Sequence, residues 1–141
     1  MEISDVVDDL VCYAYSEDIN VIWSDELDEN TPSVVSTKLR TIIMNDKVGR
    51  DVAMELAHEI SHIENGDDET AILPFSAAKE VDYGIEHDAN LCAIDMLLPY
   101  YLEDFEIDPT QINVMGFMRQ FGIPLHFENY IREKISKTYA W

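Results

Sequence analysis

The sequence predicts an α+β fold, a small β-sheet leading into a run of helices, and three observations predict it. Short stretches rich in β-branched and aromatic residues fall between residues 20 and 44. From about residue 50 onward the apolar residues recur with a period near 3.6. Asn-Gly, Gly-Ile-Pro and similar turn-forming groups punctuate the changes of pattern.

Taken in order, Val6, Val7, Leu10, Val11 and Tyr15 mark an amphipathic first helix, with Ser4 as its expected N-cap. Asn20-Val21-Ile22-Trp23 reads as a short strand, and the polar stretch 24–32 as a loop. Val34-Val35-Ser36-Thr37 and Thr41-Ile42-Ile43-Met44 read as two further strands, the second ending at Asn45-Asp46. A helix follows over 50–65, with Ala53, Leu56, Ile60 and Ile63 on its core face and Asn65-Gly66 as its stop. The acidic stretch 66–77 is irregular. Another helix is expected over 79–98, ended by Pro99, with a short helical turn over 100–105. Two amphipathic stretches, 109–121 and 125–137, meet at Gly122-Ile123-Pro124. They have helix-turn-helix proportions, but the charge of the chain makes them a packing unit rather than a reader of DNA.

That charge is −20, from nine Lys+Arg against twenty-nine Asp+Glu. Such a chain has no basic surface to displace counterions from a phosphate backbone, so direct nucleic-acid binding is excluded as an expectation. It suits a solvated surface or the steering of a basic partner. With 141 residues, 47% of them hydrophobic, the chain is expected to fold as one domain over 1–141, a core at 1–99 and a helical region at 100–141. No basic leader followed by an apolar run opens the sequence, and no stretch approaches eighteen apolar residues. Cys12 and Cys92 lie far apart, outside any CxxC pair, and are expected as reduced, buried thiols in a cytoplasmic setting.

One motif carries chemistry. His58-Glu59-Ile60-Ser61-His62 reads HExxH, inside the helix expected over 50–65. Residues four apart lie above one another on a helix, so the two imidazoles can hold one Zn²⁺. The carboxylate beside the first can take a proton from a water that the ion activates. With four His and fourteen Glu in the chain, a shuffled sequence yields the motif in roughly one case per hundred. The bland alternative is a coincidental histidine pair on an exposed face.

A catalytic zinc usually has three protein ligands. The HExxHxxGxxH form is excluded, because its glycine and third histidine positions hold Asn65 and Asp68. His87 and Cys92 have no supporting pattern, which leaves carboxylates on the next helix: Glu80, Asp82, Glu86 and Asp88. Glu86, Asn90, Ala93 and Leu97 form one stripe, while Asp88 shares a different face with Cys92 and Asp95. Spacing alone leaves Glu86 and Asp88 both open. If Glu86 is the ligand, Asn90 stands one turn on, able to orient a metal-bound imidazole.

Several blocks together resemble the ImmA/IrrE family of zinc metallopeptidases. They are Ile42-Ile43-Met44-Asn45, then Glu55-Leu56-Ala57-His58-Glu59-Ile60-Ser61-His62, then Ile85-Glu86-His87-Asp88-Ala89-Asn90-Leu91-Cys92-Ala93, closing with Met96-Leu97-Leu98-Pro99. Residues 115–135 resemble the small helical region that often follows in that family. Ser61 replaces a frequent glycine, and Asp88 stands where a second glutamate is common. The resemblance implies a zincin-like helical core beside the small sheet. It implies metal ligands at His58, His62 and Glu86, one catalytic Zn²⁺, and Glu59 as catalytic base. It further implies a protein substrate, a DNA-binding repressor of the helix-turn-helix type, in a bacterium or its phage. His87, Tyr83, Tyr100 and His126 are candidates for a second electrophile at the oxyanion, and sequence does not choose among them. The rival expectation is a non-cleaving, zinc-bound antirepressor or a toxin–antitoxin partner, against which the intact Glu59 argues.

Overall fold

The computed structural model describes residues 2–47, 51–103 and 109–139. These residues form six α-helices and one three-stranded sheet, a mixed α+β arrangement as expected. Helix α1 (Ile3–Ser16) buries Val6, Leu10 and Ala14, one residue per turn along a single face. Ser4 is not its cap: the helix starts at Ile3, which packs against the core, and Glu2 holds the cap position without a side-chain bond.

The strands β1 (Asn20–Ser24), β2 (Val34–Ser36) and β3 (Thr41–Asn45) lie in the order β1-β3-β2. β1 runs parallel to β3, and β2 antiparallel to it. Val21, Ile42 and Met44 point into the core, and Ile22, Ile43 and Val34 form an exposed row across the other face. The order leaves β2 at an edge, where it meets the next helix.

That helix, α2 (Val52–Asn65), is buried all round from Ala53 to Ile63, because α1, the sheet, α4 and α5 enclose it. Its expected start at Arg50 lies outside the described residues. It ends as Asn65-Gly66 predicts: Gly66 adopts φ 68°, and the Asp67 amide donates back to the His62 carbonyl at 3.1 Å. The helix expected over 79–98 starts late, and a short helix appears before it in the stretch expected to be irregular. A short α3 (Phe75–Ala78) comes first, and α4 (Gly84–Glu103) starts only at Gly84, whose φ of 73° is left-handed and breaks the helical run.

Pro99 does not end α4 but lies within it. Proline removes the bond to the carbonyl four residues back, yet buried Tyr101 and Leu102 hold the last turn against the core. The Tyr101 hydroxyl also donates to the Asn113 carbonyl at 2.9 Å. Helix α5 (Val114–Phe121) begins later than position 109, because Asn113 caps it by accepting from the Gly116 amide at 3.0 Å. Helix α6 (Glu128–Tyr139) follows a 3₁₀ turn at Leu125–Phe127.

Phe117, Phe121 and Phe127 are fully buried, and the Phe117 ring meets Tyr101 and Phe121 at 5.4 and 5.3 Å. Each such side chain contributes about 1.5–3 kcal/mol through burial, which ties the C-terminal helices to α4. The cysteines depart from expectation: Cys12 is exposed on α1, Cys92 is half-buried, and both are free. Among the described residues no helix is long and apolar enough to cross a membrane.

Candidate metal centre

α2 and α4 pack side by side and bring their polar residues together in the interior. His58 and His62, one turn apart on α2, are both 0% exposed, and Glu86 from α4 is 3% exposed. Glu86 Oε1 lies 2.9 Å from His58 Nε2 and 2.9 Å from His62 Nε2, and the two Nε2 atoms are 3.1 Å apart.

The far side of each ring fixes its proton. Asn90 Nδ2 donates to the Ala78 carbonyl at 3.0 Å, which turns Asn90 Oδ1 toward His58 Nδ1 at 2.7 Å. His62 Nδ1 faces Asp67 Oδ2 at 2.8 Å. Both partners are acceptors, so each Nδ1 carries hydrogen and each Nε2 of the neutral ring presents a lone pair. Two lone pairs and a carboxylate oxygen therefore converge within about 3 Å with no proton among them. That arrangement repels itself unless a cation sits between the donors, and the donor set is one that divalent metals accept. A second proton on each ring would instead set two imidazolium groups edge to edge in a dry interior.

Glu59 belongs to the same group: ligand atoms of His58, Glu59 and His62 lie within 4.8 Å of one another, all buried. This group could hold a metal ion. Glu59 Oε1 stays 3.9 Å from His58 Nε2, farther than Glu86, and accepts no hydrogen bond although buried. Burial pushes the Glu59 carboxyl well above the ordinary value of 4.5, and the nearby charges of Glu55 and Glu86 push it further. Glu86 moves the other way. Burial opposes its ionisation, but it is held below the usual range: without a metal ion a proton on the His58 ring, or on His62, supplies the positive charge at its Oε1, and the Leu73 amide donates to its Oε2 at 2.9 Å.

Of the carboxylates left open by spacing, Glu86 is buried at the histidines, while Glu80, Asp82 and Asp88 are exposed. None of the four proposed electrophiles lines the cavity beside Glu59, whose walls are residues 32–35, 69 and 72–74. Tyr83 is 76% exposed, and Tyr100 lines a groove between α4 and α6. His87 stacks on Phe127 at 5.7 Å, and exposed His126 lies against the same ring. Sequence reasoning also missed Asp67, the Leu73 amide, and Phe75, whose ring meets His58 at 5.2 Å. A signal existed for Asp67, since the residue after a glycine helix stop folds back on the last turn. No protein-family model, curated protein or solved structure matches this chain.

Proposed function

We propose that this chain is a zinc-dependent endopeptidase of the ImmA/IrrE type, with a zincin-like core, that cleaves a DNA-binding repressor. The observation that carries the reading is the buried meeting of His58 Nε2, His62 Nε2 and Glu86 Oε1 beside an unbonded Glu59 carboxylate. Two neutral imidazoles and one carboxylate are donors that suit zinc, and they are the three ligands of a site with an open position. When bound, Zn²⁺ supplies Lewis-acid activation of water and of the scissile carbonyl.

The protein's own groups do the rest. Asn90 and Asp67 lock the two rings with Nε2 inward, and the Leu73 amide holds the second oxygen of Glu86. Glu59 takes the proton of the attacking water at a carboxylate oxygen and returns it to the leaving amine. Burial among acidic neighbours raises its proton affinity, which suits a group that must hold a proton between those two transfers. The free edge of β2 beside Glu59 supports an extended peptide as substrate, laid along Val34–Ser36 by main-chain pairing. The charge of −20 supports a basic protein, such as a DNA-binding repressor, as the partner steered to it.

The test is a co-production assay with a helix-turn-helix repressor encoded beside the chain, scored by intact mass, together with metal content by mass spectrometry. The wild type is expected to hold one zinc and to cut the repressor. Glu59→Gln should keep the zinc and lose about 10²–10⁴-fold in cleavage rate. If the variant antagonises the repressor undiminished, the chain is a stoichiometric antirepressor or a toxin–antitoxin partner and the peptidase reading fails.

A further inference from the structure

A cavity of about 230 Å³ opens beside Glu59, and its walls are mostly apolar. Pro32, Val34 and Val35 form one side, and Ile72, Leu73 and Pro74 form the other. Among the described residues, the acidic groups that line it are Glu59 and Glu69. Leu73 is 42% exposed, so an aliphatic side chain of the second wall reaches water, while Val34 turns its side chain to the outer face of the sheet. The first wall belongs to the edge strand and the residues leading into it, the second to the stretch between α2 and α3. That second wall is fixed from within, because the Leu73 amide is bonded to Glu86.

We propose that this cavity is a specificity pocket that takes an aliphatic side chain, of the size of leucine, from a substrate segment lying along β2. The inference rests on the peptidase reading above and adds the substrate's chemistry. An aliphatic side chain replaces water against these mostly apolar walls, and each buried CH₂ is favourable. An aspartate or glutamate side chain gives up its water against mostly apolar walls and meets the charge of Glu69, joined in the wild type by that of Glu59, so the pocket disfavours it. The two proline rings are stiff, which limits how far the walls can spread for an indole. The pocket also adjoins both the group that takes the proton and the strand edge that would align the main chain, the requirement for a side chain near the scissile bond.

Two capped hexapeptides, identical except for a central leucine or aspartate, test this against the zinc-loaded full-length Glu59→Gln protein with methyl-labelled Val, Ile and Leu. The leucine peptide is expected to shift the methyl signals of Val35, Ile72 and Leu73, and to bind at least tenfold more tightly than the aspartate peptide. Leu73→Asp, at a half-exposed position, should keep the spectrum of the folded protein and lose that preference. Equal affinities, shifts confined to other methyl groups, or no shift up to about 10 mM peptide would each overturn the pocket. The wild-type protein separates the two readings. If it cuts both peptides equally, the pocket falls and the peptidase stands. If the leucine preference is seen in binding and neither peptide nor repressor is cut, the pocket stands and the peptidase falls.

Discussion

Asp67 and Asn90 grip the two imidazoles from behind, each through the Nδ1 that a metal would not use. Removing such a partner frees the ring to turn and lowers the basicity of its inner nitrogen, typically at a cost of 10–100-fold in metal affinity. Asp67→Ala and Asn90→Ala should each weaken zinc binding by about that factor in a competition titration with a chromophoric chelator. Glu86→Ala should abolish tight binding, and Asp88→Ala, on the exposed face of α4, should leave it unchanged. A second expectation concerns Glu59 in the metal-free protein. Its folded proton affinity is raised above the ordinary 4.5 by burial and then by Glu55 and Glu86. Below that value the carboxyl is protonated in both folded and unfolded chains and costs nothing. As pH rises from 4.5 through the folded value, the unfolded chain releases its proton first and stability is lost. Glu59→Gln removes this loss, so chelator-treated variant and parent should melt alike near pH 4. At neutral pH the variant should be more stable by about 1 kcal/mol or more, a few degrees in melting temperature. Equal melting at both pH values would show that Glu59 is not desolvated.

At the scale of the elements, much of the architecture is written in short-range pattern, and the failures have physical causes. The HExxH spacing and the stripe Glu86, Asn90, Ala93 and Leu97 could be read because each lies on one helix, where geometry follows from spacing. All four members of that stripe are buried. Pro99 misled because local propensity was overridden by the packing of Tyr101 and Leu102. The Leu73 amide was illegible for a different reason: a main-chain donor carries no side-chain signature, and only the return of the chain over α4 aims it at Glu86. Gly122 illustrates the junction that positions the C-terminal helices. It ends α5 at φ 69°, and a Cβ there would meet Asp51 Oδ1 at 1.8 Å, at the start of α2. Gly122→Ala should therefore destabilise the fold by at least about 1–2 kcal/mol, from the left-handed backbone alone. Thermal melts of the metal-free protein check it, and an unchanged melting temperature would refute the strain.

For the whole molecule, a helical framework surrounds α2 so completely that a polar motif becomes interior. Composition announced the acidic surface but could not announce the apolar pocket, since Pro32, Val34, Ile72 and Leu73 are gathered from two stretches far apart in the chain. Among the described residues the sheet ends on β2, with no strand paired to its outer side. Unprotected strand margins invite a second molecule of the same kind to join, and proteins commonly guard them. At −20, two copies approaching one another meet mutual repulsion that only concentrated salt would mask. The charge thus opposes the zipping together of sibling chains along β2 and would do nothing to turn away a cationic visitor.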